Sequence, residues 1–231
     1  MIDSLLRSIL RHARGKELGD LGGIPAHRAL AQLLQRGGLP VLRGVIRKPL
    51  LRHAQLPLFL GRGVRIMAGS QLRSGKGVFI GDYSYFNCYS RGGVRLGRNV
   101  TIREFAWLQL TSRLDSPGDC IEIGDDTYIG PRSILGAAAA LRIGRRCQIG
   151  ANVSFIAESH LFAEGDEIFT QGVSRNGITI GDDCWIGNNA VILDGVEIGP
   201  GSVVGAATVV TRSLPARAVA VGAPARVIRT R

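Results

Sequence analysis

Ile180-Gly-Asp-Asp-Cys-Trp-Ile186-Gly-Asn-Asn-Ala-Val-Ile192-Leu-Asp-Gly-Val-Glu-Ile198-Gly-Pro-Gly-Ser-Val-Val204-Gly-Ala-Ala-Thr-Val-Val210 sets an aliphatic residue at every sixth position. Four residues after most of them stands a small or β-branched one: Cys184, Ala190, Val196, Ser202, Thr208. A period of six suits neither an amphipathic helix nor an alternating strand. It suits a coil of short flat faces joined by tight turns. One aliphatic side chain per face points to the axis, and the small residue lets the chain round the corner. Gly-Asp-Asp at 124–126 and 181–183 supplies turn conformations. Stacked coils then pair as parallel strands around one continuous aliphatic column.

The same pattern appears upstream in shorter runs, Ile123-Ile129-Leu135 and Ile143-Ile149-Phe155. The phase slips by two between them, which predicts a loop or bulge at Leu141-Arg142. Val78, Ile80, Phe86, Val94, Leu96, Val100 and Ile102 read as degenerate coils, and residues 108–120 as a loop across a coil edge. The expectation is an all-β main domain, a parallel β-helix over residues 61–231 starting near Val64 or Val78. Residues 212–231 form its closing segment. Residues 1–60 read as a basic helical region. Ile2, Leu5, Leu6, Ile9 and Leu10 make an apolar helical stripe, and a second short helix covers about Ala26–Gln35.

Charge divides the chain in the same place. The 231 residues carry a net charge of +11. Residues 1–76 hold 14 Lys/Arg against 3 Asp/Glu, whereas residues 77–231 hold 15 of each. So local an excess predicts contact with something anionic. Two readings stay open for residues 1–76: peripheral contact with an anionic membrane, or a cap over the first coil with the arginines as a solvated face. Nucleic acid fits poorly, because Phe59 is the only aromatic residue in that stretch.

Cys88, Cys120, Cys147 and Cys184 lack CxxC or metal-type spacing, and the four histidines are scattered. Small buried thiols in a reducing compartment are expected, with no metal site. No secretory signal or bilayer-length apolar run is visible, so the chain reads as cytoplasmic, with a peripheral place at the inner membrane face open.

His160 is the only histidine after residue 53, and it stands where the repeats give way to an inserted loop at 161–177. An imidazole exchanges protons near neutral pH, as a general base must. Glu158, two residues earlier, is the candidate to orient it; a backbone carbonyl is the alternative.

Three segments resemble the hexapeptide-repeat acyltransferases, a family including maltose, galactoside, xenobiotic and polysaccharide O-acetyltransferases. They are Ile149–His160 with the loop after it, Gly177–Ile192 with its tryptophan, and Val209–Pro215 continuing to Val221–Ile228. The resemblance is strong from about Ile121 onward and faint from Val64 to Cys120. It implies a left-handed β-helix and a homotrimer with active sites between subunits. It also implies acetyl-CoA, or another acyl-CoA, as donor. His160 becomes the catalytic base. Ala206 (in Gly205-Ala206-Ala207) falls at a contact position for the pantetheine arm, Trp185 and Asn188 beside that arm or the active site, and Thr211, Arg212, Arg226 and Arg229 near the phosphates and adenine. The family's usual Asn or Asp partner for the histidine is missing, since residues 130–140 hold neither.

The function expected is acylation of a hydroxyl or amino group of a sugar, free or lipid-linked, in bacterial surface-polysaccharide biosynthesis. A xenobiotic or antibiotic O-acetyltransferase is the alternative enzyme, and a non-catalytic β-helix scaffold the alternative of another class. A γ-type carbonic anhydrase would need several histidines within the coils, where this chain has one.

Overall fold

A computed structural model describes residues 34–110 and 114–231, with positions 28, 31 and 32. The stripe at 2–10 and most of the helix at 26–35 lie outside the described residues. Three parallel sheets form the walls of a left-handed β-helix. The first sheet has seven strands, from His53–Ala54 to Glu197–Ile198. The second has nine, from Leu58–Leu60 to the closing pair Ala218–Val221 and Arg226–Thr230. The third has seven, from Arg65–Met67 to Val209–Val210. Every pairing between coils in these three sheets is parallel; the closing pair in the second sheet is antiparallel, folding the chain back at the C-terminal end.

The hexad positions are the core. Ile123, Ile129, Leu135, Ile143, Ile149, Phe155, Ile180, Ile186, Ile192, Ile198, Val204 and Val210 are all buried. The small residues expected at corners are buried too, and their polar atoms are satisfied along the stack. Thr127 Oγ1 donates to Gly144 O at 2.7 Å and accepts from Cys147 N at 3.1 Å. Ser202 Oγ donates to Pro215 O and accepts from Ala218 N. All four cysteines are free and buried, and burial pushes the Cys88 thiol up to about 12.

The corners from the first sheet to the second and from the second to the third take a residue with left-handed backbone. Asp126, Arg132, Arg146, Asn152, Asp183, Asn189 and Ala207 have φ between 55° and 60°. Asn and Asp tolerate that region through local hydrogen bonding, which explains the Gly-Asp-Asp and Gly-Asn-Asn runs. An Asx side chain also ties coil to coil. Asp125 Oδ1 accepts from Arg98 N at 2.8 Å, Asp182 Oδ1 from Arg145 N at 2.8 Å and Asn188 Oδ1 from Ala151 N at 2.9 Å.

Two boundaries differ from the sequence reading. The first coil begins at His53–Ala54 and Leu58–Leu60, ahead of residue 61. Its inward residues Ala54, Leu58, Leu60 and Val64 are buried as in later coils, but prolines and arginines between them mask the period. The phase slip lies in the corner at 137–140, just before Leu141 rather than on it. Helix Leu39–Arg47 crosses the open end of the first coil, with Pro40 and Gly44 buried against it. A Cβ on Gly44 would sit 2.0 Å from Leu58 O, so the helix rests backbone to backbone on the coil.

Candidate functional site

The edge where the third sheet passes to the first carries His160. The chain leaves strand Ser154–Ile156, and Ser159–His160 pairs antiparallel with Val173–Ser174. This ribbon lifts residues 161–172 off the prism. Its tip holds a short helix, Ile168–Gln171, and Gln171 staples it by bonding Ala163 N, Ala163 O and Asp166 O. Phe162 and Phe169 are 78% and 95% exposed, so the loop projects apolar rings into solvent. The expected loop is present, at the expected place.

His160 is exposed at the base of the ribbon. Glu158 does not turn to it. Arg175 Nε donates to Glu158 Oε2 at 2.7 Å, and Arg175 Nη1 donates to Ser116 Oγ at 2.9 Å. The carboxylate therefore holds the returning strand of the loop instead of the imidazole.

Sequence reading missed a second anchor, Asp194. Its carboxylate accepts from Asn176 N, Asn176 Nδ2 and Gly177 N at 2.8–3.0 Å, and from Ser174 Oγ at 3.3 Å. It pins the loop exit two and three residues beyond Ser174, the end of the strand that faces His160. The only signal in the sequence is an Asp-Gly outside the Gly-Asp-Asp pattern.

The other candidates fall on two edges. Thr211 and Arg212 follow Val209–Val210 on the same edge as His160, and both are exposed. Strands Ser154–Ile156, Val191–Leu193 and Val209–Val210 are successive, so Arg212 lies two coils, roughly 10 Å, along the edge from His160. Trp185, Asn188 and Ala206 lie at the opposite margin of the third sheet, where the second sheet turns into it. Trp185 projects outward, 57% exposed. Asn188 and Ala206 occupy neighbouring coils, joined by Ala207 N donating to Asn188 O at 2.8 Å. Asn188 Oδ1 is already bound to Ala151 N, leaving the amide nitrogen for a ligand. Ala206 and Ala207 are exposed and bring no bulk, so a slim chain can approach the backbone there. Arg226 and Arg229 stand exposed on the closing strand, and Arg226 Nη1 bonds Ala225 O at 2.9 Å.

The third sheet separates the two margins, and its outward face is mostly apolar, interrupted by Arg65, Asn87, Gln109 and Ser154. Tyr85, Trp107, Ile134, Val191 and Val209 lie in outward columns, with Ile156 and Leu193 beside them. Tyr85 and Trp107 stack with centroids 6.5 Å apart. The first sheet's outer column is charged instead: Arg95 Nη1 lies 2.6 Å from Glu122 Oε1, and Arg142 Nε 3.5 Å from Glu122 Oε2.

Comparison with known proteins agrees with this architecture. Residues 177–212 match a family model described as bacterial transferase hexapeptide (six repeats), and residues 121–154 one described as hexapeptide repeat of succinyl-transferase. The chain is 33% identical over 139 residues to the putative colanic acid biosynthesis acetyltransferase WcaF of Escherichia coli K12, covering 60% of this chain and 70% of that one. It is 35% identical over 131 residues to the galactoside O-acetyltransferase of the same strain, covering 56% and 63%. Among solved structures, AntD, an N-acyltransferase from Bacillus cereus, superposes with a TM-score of 0.55 at 20% identity, covering 81% and 88%; this likeness speaks for the fold alone. With the repeats, the coil register and the relatives in agreement, the chain belongs to the hexapeptide-repeat acyltransferases.

Proposed function

We propose that the protein transfers an acetyl group from acetyl-CoA to a hydroxyl or amino group of a sugar in the making of a surface polysaccharide, with His160 as general base. The observation that carries this reading is the setting of His160, exposed at the base of the inserted ribbon and on one edge with Thr211 and Arg212. His160 takes the proton of the acceptor group as that group attacks the thioester carbonyl. The tetrahedral intermediate then expels the thiolate, and the imidazolium returns its proton to sulfur. The exposed Ala206-Ala207 corner suits a pantetheine arm, and the guanidiniums of Arg212, Arg226 and Arg229 suit its phosphates. The colanic acid and galactoside relatives favour a sugar acceptor.

Within one chain, His160 and the Ala206 corner stand on opposite margins of the third sheet. A homotrimer in which neighbouring copies meet over that apolar face would bring one copy's His160 edge to another copy's Ala206 edge. The exposed rings of Phe162 and Phe169 give the loop something to bury there.

The test is thiol release from acetyl-CoA against a panel of sugars and amino sugars. The wild type is expected to turn over at least one of them. His160→Ala is expected to lose about 100- to 10,000-fold in kcat with its melting temperature unchanged. Full activity in His160→Ala would overturn the mechanism. A monomer in sedimentation at working concentration would overturn the shared site.

A further inference from the structure

The capping helix Leu39–Arg47 has more apolar surface than a cap needs. Pro40 and Gly44 face the coil and are buried. On the opposite side Leu42, Val45 and Ile46 are 54%, 48% and 68% exposed, and Leu50 in the following turn is 72% exposed. A helix that merely closed the prism would turn polar side chains outward. The surrounding stretch of sequence is cationic, and the nearest carboxylate after it, Asp82, accepts from Arg62 N at 2.7 Å on the coil rim. Residues 21–81 contain ten Lys/Arg and not one Asp or Glu.

Two of those cations are already aimed. Arg43 Nη1 donates to Leu60 O and Arg47 Nη1 to Val64 O, each at 3.3 Å. One donor of each guanidinium is thus fixed on the coil rim, and among the described residues the others have no partner, which leaves them for an anion. Between them lies a pocket of about 150 Å³, lined by Arg43, Ile46, Arg47, Leu60, Gly61 and Val64 among others. Its mouth adjoins the apolar face.

We propose that this end of the β-helix is a docking surface for an anionic phospholipid bilayer. Leu42, Val45, Ile46 and Leu50 enter the interface, and Arg43 and Arg47 hold lipid phosphate at its rim. An apolar strip edged by guanidiniums matches the boundary between acyl chains and anionic headgroups, where amphipathic helices lie. The exposed aliphatic strip favours a bilayer over a nucleic acid, since the nearby rings of Tyr83 and Phe105 already stack on each other with Arg62 over Tyr83. A second copy docked symmetrically on the strip would set Arg43, Arg47 and Lys48 against their own counterparts. The surface is independent of the acyl-transfer reading, and either can fail without the other.

The experiment is flotation of the full-length protein with phosphatidylcholine vesicles and with vesicles half phosphatidylglycerol, at low and high salt. The protein is expected to float with the anionic vesicles, to release at high salt, and to stay behind with the neutral ones. Arg43→Gln and Arg47→Gln should each weaken binding about fivefold. Val45→Gln with Ile46→Gln should weaken it about tenfold or more. These side chains are exposed, so an unchanged melting curve checks that each variant folds. Equal binding to neutral and anionic vesicles overturns the proposal. So does binding indifferent to the Val45 and Ile46 changes, which would assign it to residues 1–33. Concentration-dependent self-association abolished by those changes, without flotation, would make the patch a contact between copies.

Discussion

The margins of the third sheet follow opposite rules. Where the second sheet turns into the third, the inward residues keep a spacing of six in every described coil: Ile80 to Phe86, Ile102 to Leu108, Ile129 to Leu135, Ile149 to Phe155, Ile186 to Ile192 and Val204 to Val210. Where the third sheet turns into the first, Leu135 to Ile143 takes eight residues, Phe86 to Leu96 ten, Leu108 to Ile123 fifteen and Phe155 to Ile180 twenty-five; Ile192 to Ile198 alone keeps six. All the extra chain leaves the prism at one edge. One margin is held to a single template by packing, and the other is free to carry loops. His160 stands on the free one, while Asn188 and Ala206 stand on the fixed one.

The sharpest way to break this contrast is to crowd the fixed margin. Gly130 sits there with its α-carbon against the next coil; a Cβ would fall 2.3 Å from Gly150 O and 2.4 Å from Gly150 C. Both obstacles are backbone and cannot rotate away. Gly130→Ala is expected to cost about 3 kcal/mol, seen as a lower urea midpoint. Gly136, on the free side of the third sheet, meets only Phe155 O at 3.4 Å, so Gly136→Ala is the control that should cost little. Equal losses for the two would mean the margins do not differ in packing.

Next in size is Asp194→Ala at the free margin. The carboxylate gathers two backbone N–H groups, an amide and a hydroxyl where the loop rejoins the coil. Its removal should cost about 2 kcal/mol. It should also speed proteolysis within 161–176 and slow acetyl transfer by about tenfold as His160 loses its paired strand. A loss of stability with no change in loop cleavage would show that Asp194 supports the coil and not the ribbon.

A smaller effect, of opposite sign, is expected where the chain re-enters the prism. Ser74 occupies an inward slot that later coils fill with Leu96, Ile123, Ile143 and Ile180. Its Oγ is buried without a hydrogen-bond partner. Ser74→Ala removes the unpaired hydroxyl and should raise stability by about 1 kcal/mol. A destabilised Ser74→Ala would mean the hydroxyl is satisfied in solution.

These contrasts explain what could be read beforehand. From Ile121 onward the hexads run almost in phase, because their free-margin excursions are short or, at 161–177, marked by a clear loss of repeat. Upstream, excursions of ten and fifteen residues scramble the period, and Ser74 leaves a gap in the aliphatic series. The first coil was therefore missed. The inward hexad residues and the corner residues follow local rules and were legible. The partner of Glu158 was not, because Arg175 meets it only when the loop closes, and Ser116 joins from 59 residues away. The i−2 spacing put Glu158 near His160 in sequence but could not say that a guanidinium would arrive first.

The smallest expected effect lies at the remaining edge, between the first and second sheets, which keeps the six-residue template without carrying a candidate site. There Arg145 N donates to Asp182 Oδ1, and its Nε and Nη2 donate to Oδ2 at 3.0 and 2.8 Å. The backbone N–H and the guanidinium hold this carboxyl below the usual carboxylate range. A group whose acidity is strengthened on folding stabilises the native state above its unfolded pKa and loses that contribution as the pH falls through the folded value. In Asp182→Asn the amide oxygen can still take the Arg145 N–H, so the coil tie survives and the charge does not. The pair is largely solvent-exposed, and the melting temperature near neutral pH should fall by only about 1 °C. Added salt should shrink the difference. It should close as the pH is lowered past the carboxylate range, where the wild-type side chain is neutral too. A difference that persists at low pH would assign the role of Asp182 to its shape at the corner and not to its charge.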